Sequence, residues 1–160
     1  MNMRGWRAIV LAITGVVLTA SCGHGAAVHA AVIPQEQLVG TWTSPAGTSL
    51  TFSKEHTFSG TGFDKVKAMD DCAHPEKLSS GRWAFYASPK GDRVMVPDET
   101  ATRGYDLRLF FAEDASCTVW VYLYGNFGDT EDPSMCPTDD PDAGCPPGGY
   151  MKRSEDGTRS

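Results

Sequence analysis

The sequence predicts an all-β domain, an antiparallel meander that closes into a small barrel or packs as a tight sandwich. From residue 38 onward, apolar residues alternate with polar ones in short runs, and turn residues separate these runs at hairpin spacing. No segment shows the period of a long amphipathic helix. The best candidate, residues 63–71, is long enough for one loose turn at most.

The first four predicted strands place apolar side chains on one face. Leu50 and Phe52 share one face of the second strand, and Trp83 and Phe85 share one face of the fourth. These side chains are therefore predicted to face the core. The four strands are LVGTW (38–42), TSLTFS (48–53), HTFSGTGF (56–63) and GRWAFY (81–86).

Three further strands complete the predicted sheet. The first is expected to turn Val94 and Val96 inward, and the second places Leu107, Leu109 and Phe111 on one face. The third is apolar on both faces, which indicates either a strand that is covered on both sides or a strand that carries a functional surface. They are RVMVP (93–97), YDLRLFF (105–111) and CTVWVYLYG (117–125).

On the last of these strands, Trp120, Tyr122 and Tyr124 alternate on one face. Because one face of the strand must belong to the core, two interpretations of the aromatic face are open. Its side chains either pack under the C-terminal loop, or they line a ligand pocket or a partner surface, where Tyr and Trp supply apolar area with a polar tip. The opposite face carries Val119, Val121 and Leu123.

Residues 129–160 are predicted to form an acidic loop, rich in Pro, Gly and Cys, that ends in a disordered tail. Carboxylate oxygens are ligands that Ca²⁺ prefers, but the EF-hand spacing is absent and prolines scatter the acidic residues. A solvated loop without a metal is therefore predicted, and no strand is expected before about residue 149. The carboxylates belong to Asp129, Glu131, Asp132, Asp139, Asp140 and Asp142.

Residues 1–21 have the features of a signal peptide. Two arginines precede an uncharged apolar run that is too short to span a membrane. Two cleavage sites compete. Residues 19–21 (Thr-Ala-Ser) resemble the bacterial lipobox that precedes a lipidated cysteine, here Cys22. Residues 28–30 (Val-His-Ala) fit the ordinary signal peptidase but lie unusually far from the apolar run.

The lipobox is the preferred interpretation because it lies where the apolar run ends. Cys22 is then predicted to carry acyl chains that hold the exported protein on the outer side of the cell membrane, with a soluble secreted form as the alternative. Residues 22–34 become the lipidated cysteine and a flexible tether of mostly small residues. Residues 35–128 become the barrel-like domain.

Without Cys22, four cysteines remain, and an even number in an exported chain predicts two disulfides with three connectivities open. Cys136 and Cys145 bracket PTDDPDAG, which is too polar and too rich in Pro to pack by itself. A bridge between them would stabilise the fold by about 2.5–3 kcal/mol in the chain-entropy model. Cys72, in a loop, and Cys117, at the start of a strand, would then pair across the fold.

Charge and motifs exclude several function classes. The net charge of the chain is −6, and without the two leader arginines the remaining twelve basic and twenty acidic residues give −8. An acidic chain argues against nucleic acid and against electrostatic docking on anionic lipid, so membrane attachment is assigned to the acyl chains. DDCAH (70–74) groups Asp, Cys and His, but Cys72 in a disulfide cannot bind a metal. With no nucleophile elbow and no phosphate loop, no catalytic residue, metal or cofactor is predicted.

LVGTW, followed by SLTF and HTFSGTG, resembles the first hairpin of a group of small exported actinobacterial lipoproteins of unknown function. SGRWAFY and VWVYLYGNFGD are similar to later strands of that group, so the resemblance covers Leu38 to Asp129. Gly40 and Trp42 also resemble the Gly-x-Trp signature of lipocalins. That resemblance implies a small lipocalin-like barrel in which Trp42 packs across the closed end.

These observations lead to one preferred function and two alternatives. The preferred hypothesis is a lipid-anchored extracytoplasmic β domain that binds a small apolar ligand or a component of the cell envelope. The first alternative is a structural or protein-interaction lipoprotein without a ligand pocket, and a more distant one is an extracellular hydrolase. An interior cavity lined by Trp83, Phe85 and Leu109 would favour ligand binding over protein interaction.

Overall fold

The structure is a computed structural model that describes residues 29–88, 94–126 and 129–154. The predicted leader, the predicted lipidation site Cys22 and the last six residues lie outside these ranges. The strands, in chain order, are β1 (His29–Ala30), β2 (Ile33–Pro34), β3 (Gly40–Thr43), β4 (Ser49–Phe52), β5 (Thr57–Thr61), β6 (Ser80–Ala87), β7 (Val96–Asp98), β8 (Arg103–Gly104), β9 (Asp106–Phe111), β10 (Thr118–Asn126), β11 (Asp129–Pro137) and β12 (Met151–Arg153).

The described helical segments are short. One turn of α-helix, α1 (Gln35–Leu38), precedes β3, and three 3₁₀ turns lie between β5 and β6. These turns span Phe63–Lys65, Lys67–Met69 and Pro75–Lys77. The expectation of an all-β fold is therefore confirmed.

Eight antiparallel strands close into a barrel, which decides between the barrel and the sandwich. Strands β3 to β6 pair in sequence, β6 pairs with β9, and β9 to β12 pair in sequence. The barrel closes where β12 pairs with β3, with Lys152 opposite Thr43. The predicted meander is thus observed, except that the strand predicted at 93–97 is not one of the barrel strands. It overlaps β7, which with β8 lies along the chain between the barrel strands β6 and β9.

Because neighbouring strands run in opposite directions, the connections alternate between the two ends of the barrel. One end, here called the disulfide end, carries the connections at residues 44–48, 62–79, 112–117 and 138–150. The other, the N-terminal end, carries β1, β2, α1, the turn at residues 53–56 and the long connection that contains β7 and β8.

Side chains fill the barrel interior. Trp83 and Phe85 are fully buried, as predicted, and their rings meet edge to face with centroids 5.3 Å apart. Trp83 also meets Phe52 edge to face at 6.0 Å, and Phe58 meets Phe111 in the same way at 5.3 Å. Edge-to-face packing of this kind is favourable for aromatic quadrupoles. Gly81 permits close approach of β6 to β9, since a β-carbon there would collide with the carbonyl oxygen of Phe110.

The prediction that Val94 and Val96 face the core is wrong. Val94 is 60% exposed and Val96 is 37% exposed. The strand β7 pairs only with the last residues of β6, beyond the stretch of β6 that pairs with β5. Among the described residues, no facing layer therefore fully covers Val94 or Val96, although the sequence has the alternation of a half-buried strand.

The predicted tether at residues 22–34 is too long. Ala31 and Ile33 are buried, and β1 pairs with β10, with Ala30 opposite Tyr124. A further backbone hydrogen bond of 2.8 Å runs from the amide of Ala31 to the carbonyl oxygen of Leu123. The folded domain thus includes residues 29–34. Their two-residue strands leave no periodic pattern by which the sequence could have placed them in the domain.

The boundary at residue 128, where an irregular loop was expected to begin, is also wrong. Strand β11 continues the barrel to Pro137, and β12 returns at residue 151, so the irregular loop is limited to the segment between them. Residues 138–150 form that loop, and the disulfide between Cys136 and Cys145 closes it as predicted.

Candidate functional site

The candidate site lies on the outside of the barrel, across β6, β9 and β10. Since Leu107 and Leu109 point inward, the neighbouring Asp106 and Arg108 point outward. Arg108 lies opposite Trp120 on β10, and Asp106 lies opposite Tyr122. We call Tyr86, Asp106, Arg108, Trp120 and Tyr122 the aromatic face.

The rings of the aromatic face stack on one another. The ring centroids of Tyr86 and Trp120 lie 4.8 Å apart with an interplanar angle of 35°, and those of Trp120 and Tyr122 lie 5.9 Å apart at the same angle. The guanidinium carbon of Arg108 lies 5.2 Å from the Trp120 ring centroid, within the range of a cation–π contact. Arg108 also donates a hydrogen bond to the Thr118 hydroxyl, which fixes its orientation. The side chains of Tyr86, Trp120 and Tyr122 are all half-buried.

A carboxyl group is buried in this aromatic surface. Asp106 is only 5% exposed, and its Oδ1 has no hydrogen-bond partner among the described residues. Desolvation raises the pKa of Asp106 to about 6, because burial disfavours the charged carboxylate. Desolvation, together with the negative charge of Asp106, also raises the pKa of Tyr122 to about 12. The phenol of Tyr122 is therefore protonated, and able to donate a hydrogen bond, at any physiological pH.

Asp106→Asn is expected to stabilise the protein at pH 7.5 by roughly 1–3 kcal/mol. The folded-state pKa of Asp106 lies above the value near 4 of an unfolded chain, so the stabilising contribution of this group is complete below about pH 4. It is lost as the pH rises through 6. Urea unfolding between pH 4 and 8 should therefore show a decline in stability for the wild type that the Asn variant lacks.

Asp98→Asn is the control for this experiment. Hydrogen bonds from the hydroxyl and the amide of Thr100 lower the pKa of the Asp98 carboxyl, whose side chain is half-buried. Its contribution has the opposite sign, since it is present at neutral pH and lost as the pH falls. If the difference in the free energy of unfolding between wild type and Asp106→Asn does not change across this pH range, the assigned pKa of Asp106 is contradicted.

Tyr124, predicted to share a face with Trp120 and Tyr122, has a different environment. It is buried under the C-terminal loop, where its hydroxyl donates to the carbonyl oxygen of Pro141 at 3.1 Å. Its ring meets that of Tyr150 edge to face at 5.8 Å, and desolvation raises its pKa to about 12. Tyr124 is thus packed under the C-terminal loop, as the first interpretation predicts, whereas Trp120 and Tyr122 are half-buried on the outer surface of the sheet.

The residues predicted to close the barrel lie at its N-terminal end. Trp42 is fully buried, and its Nε1 donates to the carbonyl oxygen of Leu38 at 2.8 Å. Gly40 has φ +129°, a conformation that favours glycine, and Arg153 lies beside it and donates to the carbonyl oxygen of Val39. These residues join the first and last strands of the barrel.

Both predicted disulfides are present. Cys72 pairs with Cys117, and Cys136 pairs with Cys145. The first joins the connection between β5 and β6 to the one between β9 and β10. Two structural disulfides are typical of an oxidising, extracytoplasmic compartment. Within the described ranges, no helix is long and apolar enough to cross a membrane.

Surface cavities flank the barrel, and two of them bear on ligand binding. One of about 480 Å³ lies between the disulfide-closed loop and Lys67, and the other, of about 340 Å³, is lined by Arg82, Glu99 and Phe110 among others. Arg82 and Glu99 form an ion pair at the second cavity. Neither is lined by Trp83, Phe85 or Leu109, the residues named above for an interior binding cavity.

The acidic residues of the C-terminal segment are dispersed. Lys152 forms an ion pair with Asp132 at 2.8 Å, and Asp140 accepts hydrogen bonds from the amides of Asp142 and Ala143 within its own turn. No group of three His, Cys, Asp or Glu side chains suited to a metal ion occurs in the described part of the chain. The solvated acidic loop stays a prediction.

Comparisons with protein-family models, with curated proteins and with solved structures find no match for this chain.

Sequence reasoning missed three members of the aromatic face, namely Tyr86, Asp106 and Arg108. Each lies at an outward-facing position of a strand whose inward-facing residues were predicted correctly. The alternation of inward- and outward-facing residues along these strands is the signal by which the three side chains could have been found. The pairing of β6 with β9 and of β9 with β10, which brings these side chains beside Trp120, depends on a register that one sequence does not specify.

Proposed function

We propose that this chain is an exported, lipid-anchored β-barrel domain that binds a protein of the cell envelope through its aromatic face. The observation that carries the proposal is the stack of Tyr86, Trp120 and Tyr122, half-exposed on the outer sheet surface beside Arg108. Tyr, Trp and Arg are the residue types that dominate binding energy at protein interfaces.

The filled interior favours this interpretation over an enclosed ligand. Trp83, Phe85 and Leu109 are fully buried and belong to one continuous core cluster. A ligand pocket for a small molecule is usually concave and largely preformed. An open sheet surface with stacked rings suits a broad partner better, because its rings can be covered without opening the core.

The position of β1 favours lipidation at Cys22 over cleavage after Ala30. Cleavage after Ala30 would remove the strand that pairs with Tyr124 and the following glycine of β10. Cleavage before Cys22 retains β1 and leaves six residues between the acylated cysteine and His29.

Cys22→Ser is expected to move the protein from the membrane fraction to the medium. A single acyl chain binds membranes only marginally, whereas two or three hold firmly, and all of them depend on processing at this cysteine. Fractionation and N-terminal mass analysis of the wild type and the variant provide the measurement. A soluble wild-type protein that begins at Ala31 would contradict the anchoring proposal.

A photo-crosslinking amino acid at Tyr122 is expected to capture one defined envelope protein in intact cells. Trp120→Ala in the same chain should abolish the crosslink, since Trp120 connects the rings of the face. The same crosslinker at Thr51, an exposed position on the outer face of β4, is the matched control. A crosslink that persists in Trp120→Ala, or that forms equally at Thr51, would contradict the proposed binding surface.

A small apolar ligand remains a second candidate because of the 340 Å³ surface cavity. Phe110 lines this cavity and is 37% exposed. Native mass spectrometry of protein purified from its host would show a retained ligand, and its loss in Phe110→Ala would assign it to this cavity.

A further inference from the structure

Exposed apolar side chains are concentrated at the N-terminal end of the barrel. Of the six large apolar residues that are exposed by more than a third within the described ranges, five lie at this end. The sixth, Phe110, lies on β9 near the disulfide end. The five are Val32, Val94, Met95, Val96 and Tyr105.

The backbone pairings bring these five residues to one end of the molecule. Val32 precedes Ile33, which pairs with Gly104, and Tyr105 follows Gly104 directly. Val96 pairs with Ala87, the last residue of β6, so the neighbouring Val94 and Met95 extend beyond the end of that strand.

The N-terminal segment enters the fold at the same end. His29 pairs with Gly125, near the end of β10 that lies away from the disulfides. Six residues separate His29 from Cys22, and a fully extended chain of that length spans at most about 25 Å. An acyl anchor on Cys22 would therefore keep this end, and not the disulfide end, close to the bilayer.

We propose that the N-terminal end rests on the lipid surface, with Val32, Val94, Met95, Val96 and Tyr105 in the interfacial zone of the bilayer. This inference depends on the lipid anchor of the proposed function. The occupant is lipid because the anchor fixes this end beside the membrane and apolar side chains partition into its interface. The exported chain is acidic, with a net charge of −8 once the two leader arginines are removed, so apolar contact is the driving interaction.

This orientation has a consequence for the aromatic face. The strands β6, β9 and β10 run from one end of the barrel to the other, so the aromatic face would lie on the side of a barrel that stands on the membrane. A partner held in the same membrane could then reach Trp120 and Tyr122 laterally. The two contacts would adjoin, because Tyr86 lies opposite Pro97, the neighbour of Val96, and Asp106 directly follows Tyr105.

Nitroxide labelling of the lipidated protein in phosphatidylcholine vesicles tests the orientation. Met95→Cys and Phe110→Cys provide two label sites with equal exposure, 37%, at opposite ends of the barrel. The introduced thiol would be the single free one, since four cysteines form disulfides and Cys22 is acylated. We expect the ratio of oxygen to nickel-complex accessibility to be several-fold higher at Met95 than at Phe110, because oxygen concentrates in the bilayer.

Equal ratios at the two labels in vesicle-bound protein would overturn the inference, since the domain would then extend freely into water. Spin–spin broadening between labels at Met95 would also overturn it, because a second copy would cover this end. Protein that fails to sediment with the vesicles would overturn the anchor itself, which distinguishes the two failures. A label at Val94→Cys repeats the test at a second site of the same end and should give the same high ratio.

Discussion

Replacing Trp42 by alanine is expected to lower the free energy of unfolding by about 3–5 kcal/mol. Trp42 is fully buried, and its indole donates to the carbonyl oxygen of Leu38, so the substitution removes a large apolar volume and leaves a buried acceptor without this donor. For a domain of this size, such a loss should lower the melting temperature by about 10–20 °C. Thermal unfolding followed by circular dichroism provides the measurement.

Trp120→Ala is the matched control, since it removes the same atoms from the half-exposed aromatic face. Its melting temperature should fall far less than that of Trp42→Ala. Where Trp42→Ala fails to fold, Trp42→Phe keeps most of the apolar volume and removes the hydrogen bond to Leu38, so an intermediate loss is expected. Equal melting temperatures for the wild type and Trp42→Ala would contradict the role of Trp42 in closing the N-terminal end.

The sequence predicted the strands that have one buried and one exposed face. Leu50, Trp83, Phe85 and Leu109 all point inward as their alternation indicated. The closure of the barrel was harder to predict from the sequence, because it depends on β12, a strand of three residues that pairs with β3 and β11. So short a strand carries too little pattern to be detected.

Strand β11 was missed because its composition is typical of a loop. It contains Pro133 and Pro137, which lack the amide hydrogen that a strand donates to its neighbour. In the structure, Pro133 lies within the register shift between β10 and β11, and the pairing of β12 with β11 ends at Met135, short of Pro137. Prolines are tolerated at such positions because no ladder hydrogen bond is needed there.

The candidate site, too, could be predicted from the sequence only in part. The alternation of Trp120, Tyr122 and Tyr124 indicated an aromatic surface, but it gave no sign that Tyr124 differs from the other two. The difference arises from the loop at residues 138–150, whose path is set by the disulfide between Cys136 and Cys145. The bridge was predicted from its two cysteines, but the alternation along β10 does not indicate which of its residues the closed loop covers.

The two disulfides are expected to contribute unequally to stability. Cys72 and Cys117 are 45 residues apart in the sequence, and Cys136 and Cys145 are 9 apart. The longer loop loses more entropy when it is closed in the unfolded chain. The chain-entropy model gives roughly 4 kcal/mol for the first bridge and about 2.5–3 kcal/mol for the second. Urea unfolding of the two double variants, each with both cysteines replaced by alanine, should show this order.

A second measurement separates the chain-entropy effect from local packing. Loss of the Cys136–Cys145 bridge should release the loop that covers Tyr124, so the pKa of this phenol should fall from about 12 toward its ordinary value near 10. Loss of the Cys72–Cys117 bridge should leave the Tyr124 titration unchanged, because that bridge joins two other connections. If the short bridge proves the more stabilising of the two, its contribution must come from packing of the loop against β10 and not from the unfolded chain.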